Sequence, residues 1–203
     1  MIESDVATEL TLDEATLADT SRARPRPRVV RRPVGLSIGI PLFALLTALG
    51  AYAAVPMAPV PMTLQTLFVL LAGTVLGPSA GAASMLLYLF VGALGAPIFS
   101  VGGAGLGWAF GPTGGFLMAF PLAAAVAGWC AGQSKRTVPT LVGLVLASLV
   151  IFLLGAAWLG AISDLSLAGI LQVAVVPFLV GAVVKVGIAL VVTRQVAGMG
   201  ARA

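Results

Sequence analysis

The chain contains no histidine and no asparagine, and its single cysteine is Cys130. Without histidine, neither a Ser-His or Cys-His nucleophilic site nor a histidine-bound metal can form. One cysteine cannot make an internal disulfide, and we expect it to be a small apolar core residue. The lack of asparagine excludes the paired Asn-Pro-Ala half-helices of aquaporin-type channels. We therefore expect no metal, no cofactor and no catalytic residues.

Charge is also scarce over most of the chain. From Pro33 to Ser134 there is no Asp, Glu, Lys, Arg or His, and only 9% of the 203 residues are charged whereas 60% are hydrophobic. A water-exposed surface cannot be built from such a stretch. The composition therefore predicts an all-α integral membrane protein.

The apolar sequence divides into six segments, each close to the length of about 20 residues that crosses a bilayer as a helix. Proline, glycine or charged residues separate them. This pattern predicts a disordered cytoplasmic tail at 1–33, acidic and then Arg-rich, a six-helix transmembrane domain at 34–195 and a cytoplasmic C-terminal tail at 196–203. The predicted spans are 34–55, 61–77, 79–96, 108–132, 138–162 and 168–193.

The positions of the basic residues predict the orientation. If the chain begins in the cytoplasm, its inside segments hold six arginines of the tail, then Lys135 and Arg136, then Arg194 and Arg202, which is ten of the eleven basic residues. Cytoplasmic loops collect Lys and Arg, so both termini are predicted to be cytoplasmic. The net charge of +4 thus reports orientation and contact with lipid headgroups rather than a nucleic-acid partner.

The eleventh basic residue, Lys185, lies within the apolar run "VPFLVGAVVKVGIALVV". A lysine at the centre of a span costs about 2.5–3.5 kcal/mol. No predicted span contains a carboxylate, so the anion of a ligand is a natural partner, and hydroxyl and amide dipoles are the alternative. Phe178, Gly181 and Ala182 share the helix face of Lys185, and the two small residues leave room for a ligand. The other interpretation is that the lysine reaches an interface or helix-terminal carbonyls.

Two irregular segments are further candidates. In "VPMAPVPMTLQTL", three prolines prevent a regular helix, and Thr63, Gln65 and Thr66 follow them. This segment is predicted to be either a lid over a binding cavity or a rigid hairpin with Thr63 as a helix N-cap. In "VGGAGLGWAFGPTGGF", the strand and helix of a nucleotide-binding fold are missing, so we expect either a helix interruption facing a cavity or close helix packing.

A stripe of small residues in the first span, Ala44, Ala48 and Ala51, allows another helix to approach closely. That helix is either within the chain or in another subunit.

Three stretches carry a resemblance to a known family: "VPMTLQTLFVLLAGTVLGPSAGAASMLLYLFVGALGAPIF", "GGAGLGWAFGPTGGFLMAFPLAA" and "VPFLVGAVVK". Over residues 36–195 the chain resembles the BioY proteins, the substrate-binding (S) components of energy-coupling-factor (ECF) biotin importers. The resemblance implies a six-helix S-component fold in the cytoplasmic membrane of a prokaryote. It also implies capture of biotin from the outer side beneath the first loop, and docking on a transmembrane coupling subunit that carries two ATPases.

Taken with this resemblance, the residues give a predicted site. We expect biotin to be the transported substrate, with ATP hydrolysis only in partner subunits, and Ala44 and Ala48 to dock on the coupling subunit. The residues predicted to bind the substrate are Lys185, Thr63, Gln65, Tyr88, Thr113, Gly114, Phe178 and Gly181.

The chain departs from the family pattern at one informative position. After "PFL" the family usually reads Pro-Gly-Asp, two variable residues and Lys, whereas this chain has Val180, Gly181 and Ala182 before Lys185. The family also often has Tyr where Phe116 stands. If the absent acid accepts ureido N–H groups, Ala182→Asp should strengthen biotin binding; no gain would mean that another group has this role.

A different functional class remains open, namely a secondary or lone-acting transporter for a related small carboxylate. Proton-coupled transporters usually place Asp, Glu or His within their spans, and the predicted spans contain none. The chain also lacks a P-loop or other ATP site, which favours a binding subunit energised by partners.

Overall fold

The computed structural model describes residues 33–132 and 137–199, which are mainly helical. The predicted tail at 1–33 therefore lies outside the described residues except for Pro33, as do Lys135, Arg136 and Arg202. The helices are α1 (Pro33–Tyr52), α2 (Gln65–Leu76), α3 (Pro78–Ala93), α4 (Gly105–Ala109), α5 (Gly114–Gly132), α6 (Thr137–Ile162), α7 (Leu167–Ala174) and α8 (Leu179–Met199). Two 3-10 turns span Ser100–Gly102 and Val176–Phe178.

A short hairpin joins α1 to α2. Its strands β1 (Ala54–Val55) and β2 (Met62–Thr63) are antiparallel, with Ala54 opposite Thr63. The three prolines between Val55 and Met62 keep this segment out of a helix because proline lacks an N–H and fixes φ. The predicted hairpin is present, but Leu64 rather than Thr63 occupies the N-cap position of α2.

Apolar helices suited to a bilayer account for most of the described chain. Three stretches are long and apolar enough to cross a membrane: Gly114–Gly132, Thr137–Ile162 and Leu167–Gly198. The apolar helices at Leu36–Tyr52, Gln65–Leu76 and Pro78–Ala93 are shorter than 18 residues. The protein is an all-α multi-pass membrane protein, and the count of six spans stays a prediction.

Two predicted spans are interrupted. The fourth was expected from residue 108, yet α5 begins at Gly114 because Gly111 and Pro112 form a turn after the separate short helix α4. The sixth was expected as one helix, but it breaks at Val176–Phe178, where Pro177 cannot donate a backbone hydrogen bond. The break separates α7 from α8 directly before the face that carries Lys185.

Helix α5 lies at the centre of the packing and contacts α2, α3, α4 and α6. Small residues permit this close approach: a Cβ atom at Gly73 would lie 2.1 Å from the carbonyl oxygen of Ala124, and one at Gly128 would lie 2.5 Å from that of Gly73. Ala123 and Ala127 are fully buried beside them. Backbone-to-backbone contact of this kind is how membrane helices pack without large apolar side chains.

The alanine stripe of α1 faces the interior of the chain. Ala44 and Ala48 are 8% and 6% exposed and belong to the main apolar core. Helix α1 packs on α3 along this side, where the Thr47 hydroxyl lies 3.7 Å from the Met85 sulfur. The small residues therefore serve an internal helix contact, and the docking of Ala44 and Ala48 on a coupling subunit stays a prediction.

Candidate functional site: a polar and aromatic cavity around Lys185

A cavity lies between the hairpin and helices α2, α5, α6 and α8. The centre of a water molecule can occupy about 70 Å³ of this cavity, so the cavity has room for several water molecules. Apolar side chains form much of its wall, among them Phe116, Phe120, Phe152 and Phe178. The polar side chains that line it are Thr63, Gln65, Thr66, Ser100, Thr113, Ser148 and Lys185. Such a cavity fits an amphipathic small molecule.

Lys185 is the cation of this cavity. Its ammonium group donates to the carbonyl oxygen of Thr63 at 2.6 Å and to the Thr66 hydroxyl at 3.0 Å. Helix α8 thus contacts both the end of the hairpin and the start of α2. Among the residues that line the cavity there is no carboxylate, and Asp164 is exposed elsewhere. The ammonium therefore has dipolar partners within the protein and no anionic one in the cavity.

A chain of hydrogen bonds fixes Gln65 in the cavity wall. The Thr63 hydroxyl donates to Gln65 Oε1 at 2.9 Å, and Gln65 Nε2 donates to the Tyr88 hydroxyl. Tyr88 in turn donates to the carbonyl oxygen of Ile98 at 3.0 Å. Tyr88 is 1% exposed and packs edge-on against Phe99. Both polar ends of the Gln65 amide are therefore engaged by the protein itself.

The turn that precedes α5 is held by Trp158 of α6. The Trp158 indole Nε1 donates to the carbonyl oxygen of Gly111 at 3.0 Å, and its ring lies 6.3 Å from that of Phe110. A Cβ atom at Gly115 would lie 2.2 Å from Trp158 Cβ, so only glycine lets the turn approach this close. The result is that Thr113 is 8% exposed at the cavity wall.

Removing the indole N–H of Trp158 should loosen this turn. We expect Trp158→Phe to lower the free energy of unfolding by about 1 kcal/mol, because the Gly111 carbonyl loses its partner. That loss corresponds to a fall of about 2–4 °C in Tm for a chain of this size. Thermal unfolding in detergent measures it, with Trp129→Phe as the control because Trp129 is 62% exposed. Equal Tm values for the two variants would contradict the assigned role.

A second cavity adjoins the first at the hairpin, since Pro61 and Thr113 line both. Its wall includes Pro56, Met57 and Trp108. The Trp108 indole Nε1 is buried and has no hydrogen-bond partner among the residues that the structure describes. The proline-rich segment therefore stands between the two cavities.

Comparison with known proteins identifies the family. The model of the BioY family matches residues 28–202. This chain belongs to the BioY family. A probable biotin transporter BioY of Pyrococcus horikoshii is 42% identical over 159 residues, which are 78% of this chain and 94% of that protein. Biotin transporter BioY2 of Lactococcus lactis is 34% identical over 151 residues, covering 74% of this chain and 81% of its own length.

The fold of this BioY chain is also that of a solved protein. The crystal structure of the S-component for biotin from an ECF-type ABC transporter matches with a TM-score of 0.75. The match has 23% sequence identity and covers 81% of this chain and 92% of the other. The expected S-component fold is thereby confirmed.

The structure brings together five of the eight predicted substrate-binding residues of this BioY chain. The five that line the cavity are Lys185, Thr63, Gln65, Thr113 and Phe178. The other three support it. Tyr88 accepts a hydrogen bond from Gln65. Gly114 packs against Ala109 and Trp158, and the Cβ position of Gly181 lies 3.3 Å from the Met62 sulfur.

Several cavity residues were not among the predicted set. Thr66 follows the proline-rich segment with Thr63 and Gln65, but only the structure shows that it lines the cavity. Ser148 lies within an apolar helix, where a single hydroxyl is the only sequence signal. Ser100 lies in the irregular segment after α3, and no periodicity marks it. The contact of Trp158 with Gly111 joins residues 47 positions apart, which no local pattern indicates.

Proposed function

We propose that this protein binds biotin and serves as the substrate-binding subunit of an ECF-type biotin importer in the cytoplasmic membrane of a prokaryote. The observation that carries the proposal is Lys185, a cation in an otherwise aromatic and hydroxyl-lined cavity of a BioY-family chain. Relatives that are 42% and 34% identical are described as a probable biotin transporter and a biotin transporter, and the structural neighbour is an S-component for biotin.

The chemistry of biotin matches that of the cavity. Its carboxylate would bind the Lys185 ammonium in place of, or together with, the Thr63 carbonyl and the Thr66 hydroxyl. Its aliphatic chain and thioether ring suit the phenylalanine wall, where Phe116 and Phe178 lie 6.5 Å apart. Its ureido ring needs neutral hydrogen-bonding groups, which the cavity supplies as hydroxyls. A carboxylate bound beside an unopposed ammonium gains most where water is largely excluded.

Energy for import would come from partner subunits. The sequence contains no P-loop, and the predicted spans hold no Asp, Glu or His to carry protons. A transmembrane coupling subunit and two ATP-binding subunits are therefore the proposed partners. Docking on α1 is predicted at Ala44 and Ala48, and the exposed side of that helix carries Ile38, Leu42 and Leu45.

Two measurements test the proposal. Calorimetry on the detergent-purified protein should show saturable binding of biotin, whereas absence of binding would refute the function. Uptake of labelled biotin into liposomes should require co-reconstituted coupling and ATP-binding subunits together with ATP. Uptake by the chain alone would instead support a lone-acting transporter.

A further inference from the structure

Two hydroxyl groups in the cavity wall have no hydrogen-bond partner in the part of the chain that the structure describes. Ser100 and Thr113 are 3% and 8% exposed, and both line the cavity. The other polar side chains of the wall are all hydrogen-bonded: Lys185 to Thr63 and Thr66, Thr63 to Gln65, Gln65 to Tyr88, and Ser148 to the carbonyl of Leu144. Among the described residues, no hydrogen bond of the Ser100 or Thr113 side chain is present.

A hydroxyl that makes no hydrogen bond within the protein must find its partner elsewhere, because an unsatisfied polar group is costly. Buried polar groups in proteins are therefore almost always paired. The Ser100 and Thr113 oxygens are not among the fully enclosed polar atoms, so both hydroxyls open into the cavity and can bond a molecule within it. Lys185 lies on α8, far along the sequence from Ser100 and Thr113. The cavity therefore brings the two hydroxyls and the cation together from separate segments of the chain.

We propose that Ser100 and Thr113 bind the neutral polar head of the ligand and determine its specificity, while Lys185 binds the carboxylate. This inference rests on the proposed function. A hydroxyl both donates and accepts, so the pair suits a group that presents N–H and C=O together, such as a cyclic urea. The wall contains no carboxylate that could accept from such N–H groups.

The segments that carry the two hydroxyls are fixed in place. Val101, directly after Ser100, adopts φ +57°, although a β-branched residue rarely occupies this left-handed region. Backbone strain of this kind persists where the surrounding structure over-determines the conformation, and it is common at binding sites. Thr113 follows the turn that Trp158 holds through Gly111. Both hydroxyls therefore belong to rigid turns, which suits the recognition of a rigid ring.

Calorimetry of Ser100→Ala and Thr113→Val with biotin and with biotin methyl ester tests this assignment. The ester keeps the ureido ring but lacks the anion. We expect each variant to bind both ligands about five- to tenfold more weakly than the unmodified protein, because each loses one hydrogen bond to the head. The ratio of the two Kd values should stay unchanged, since the carboxylate end is not affected. If either variant changed the ratio of the two Kd values, its hydroxyl would be assigned to the carboxylate, and the proposal would be wrong.

Ser84→Ala is the matched control. Ser84 is as buried as Ser100, but its hydroxyl donates to the carbonyl of Ala80, and it does not line the cavity. We expect its Kd for biotin to be unchanged. If the unmodified protein binds biotin and the Ser100 and Thr113 variants bind it equally well, this inference is wrong while the proposed function stands. If the unmodified protein does not bind biotin, the proposed function itself fails.

Discussion

Lys185→Met should weaken biotin binding about 30-fold to several thousandfold. Removing one member of a largely desolvated charge pair costs about 2–5 kcal/mol, because the ligand carboxylate is left without its counter-charge. Methionine keeps the length and apolar stem of lysine, so the packing of α8 changes little. Removal of the charge also favours insertion of the helix into the bilayer. The measurement is the Kd for biotin by calorimetry in detergent.

Two comparisons make this result specific. Arg194→Met removes a basic residue from the same helix, but Arg194 is exposed and does not line the cavity, so its Kd should be unchanged. Biotin methyl ester has no anion, so Lys185→Met should alter its Kd far less than that for biotin. Equal losses for the acid and the ester would show that Lys185 acts by shaping the cavity rather than by binding a carboxylate.

Gly128→Val should prevent formation of the native helix packing. A Cβ atom at residue 128 would lie 2.5 Å from the oxygen of Gly73, 2.6 Å from the nitrogen of Pro78 and 2.7 Å from the carbonyl carbon of Gly77. These are backbone atoms, which cannot rotate away as the end of a flexible side chain can. Overpacking costs about 1–3 kcal/mol where side chains adjust, and we expect at least the upper value here. Size-exclusion chromatography in detergent should show loss of the monodisperse peak.

Gly132→Val provides the control on the same helix. A Cβ atom at Gly132 would have no atom of the described residues within 4 Å, so we expect the substitution to add volume without a clash. Its elution profile and Tm should match those of the unmodified protein. A monodisperse Gly128→Val protein with an unchanged Tm would disprove the close contact between α5 and the turn that joins α2 to α3.

The sequence predicts those parts of the site that a charge or a break in the apolar pattern marks. Lys185 was identified by its position in an uncharged span, and Thr63 and Gln65 by their place after three prolines. Ser100 could not be identified in this way, because a single hydroxyl residue in an irregular loop belongs to no periodic pattern. The direction of the Ala44 and Ala48 side chains could not be predicted either, because small residues favour both internal and intersubunit packing.

The boundaries of the helices could also be predicted only in part. Alternation of apolar and irregular segments predicted the order of the helices, but membrane segments that are apolar on all sides give no periodic signal for a break. The interruption at Val176–Phe178 depends on Pro177 and on the packing of α7 against α6. Of these two causes, only Pro177 can be recognised from the local sequence.

The hydrogen bond between Lys185 and Thr63 also bears on how the protein is made. It joins residues 122 positions apart, so the hairpin is synthesised long before the helix that completes its cavity. Chains are made from the N-terminus, and the earlier segments of a membrane protein are in place before the last one arrives. A chain truncated before α8 would lack Ala182 and Lys185 of the cavity wall. The wall of the cavity is therefore complete only after α8 has been synthesised.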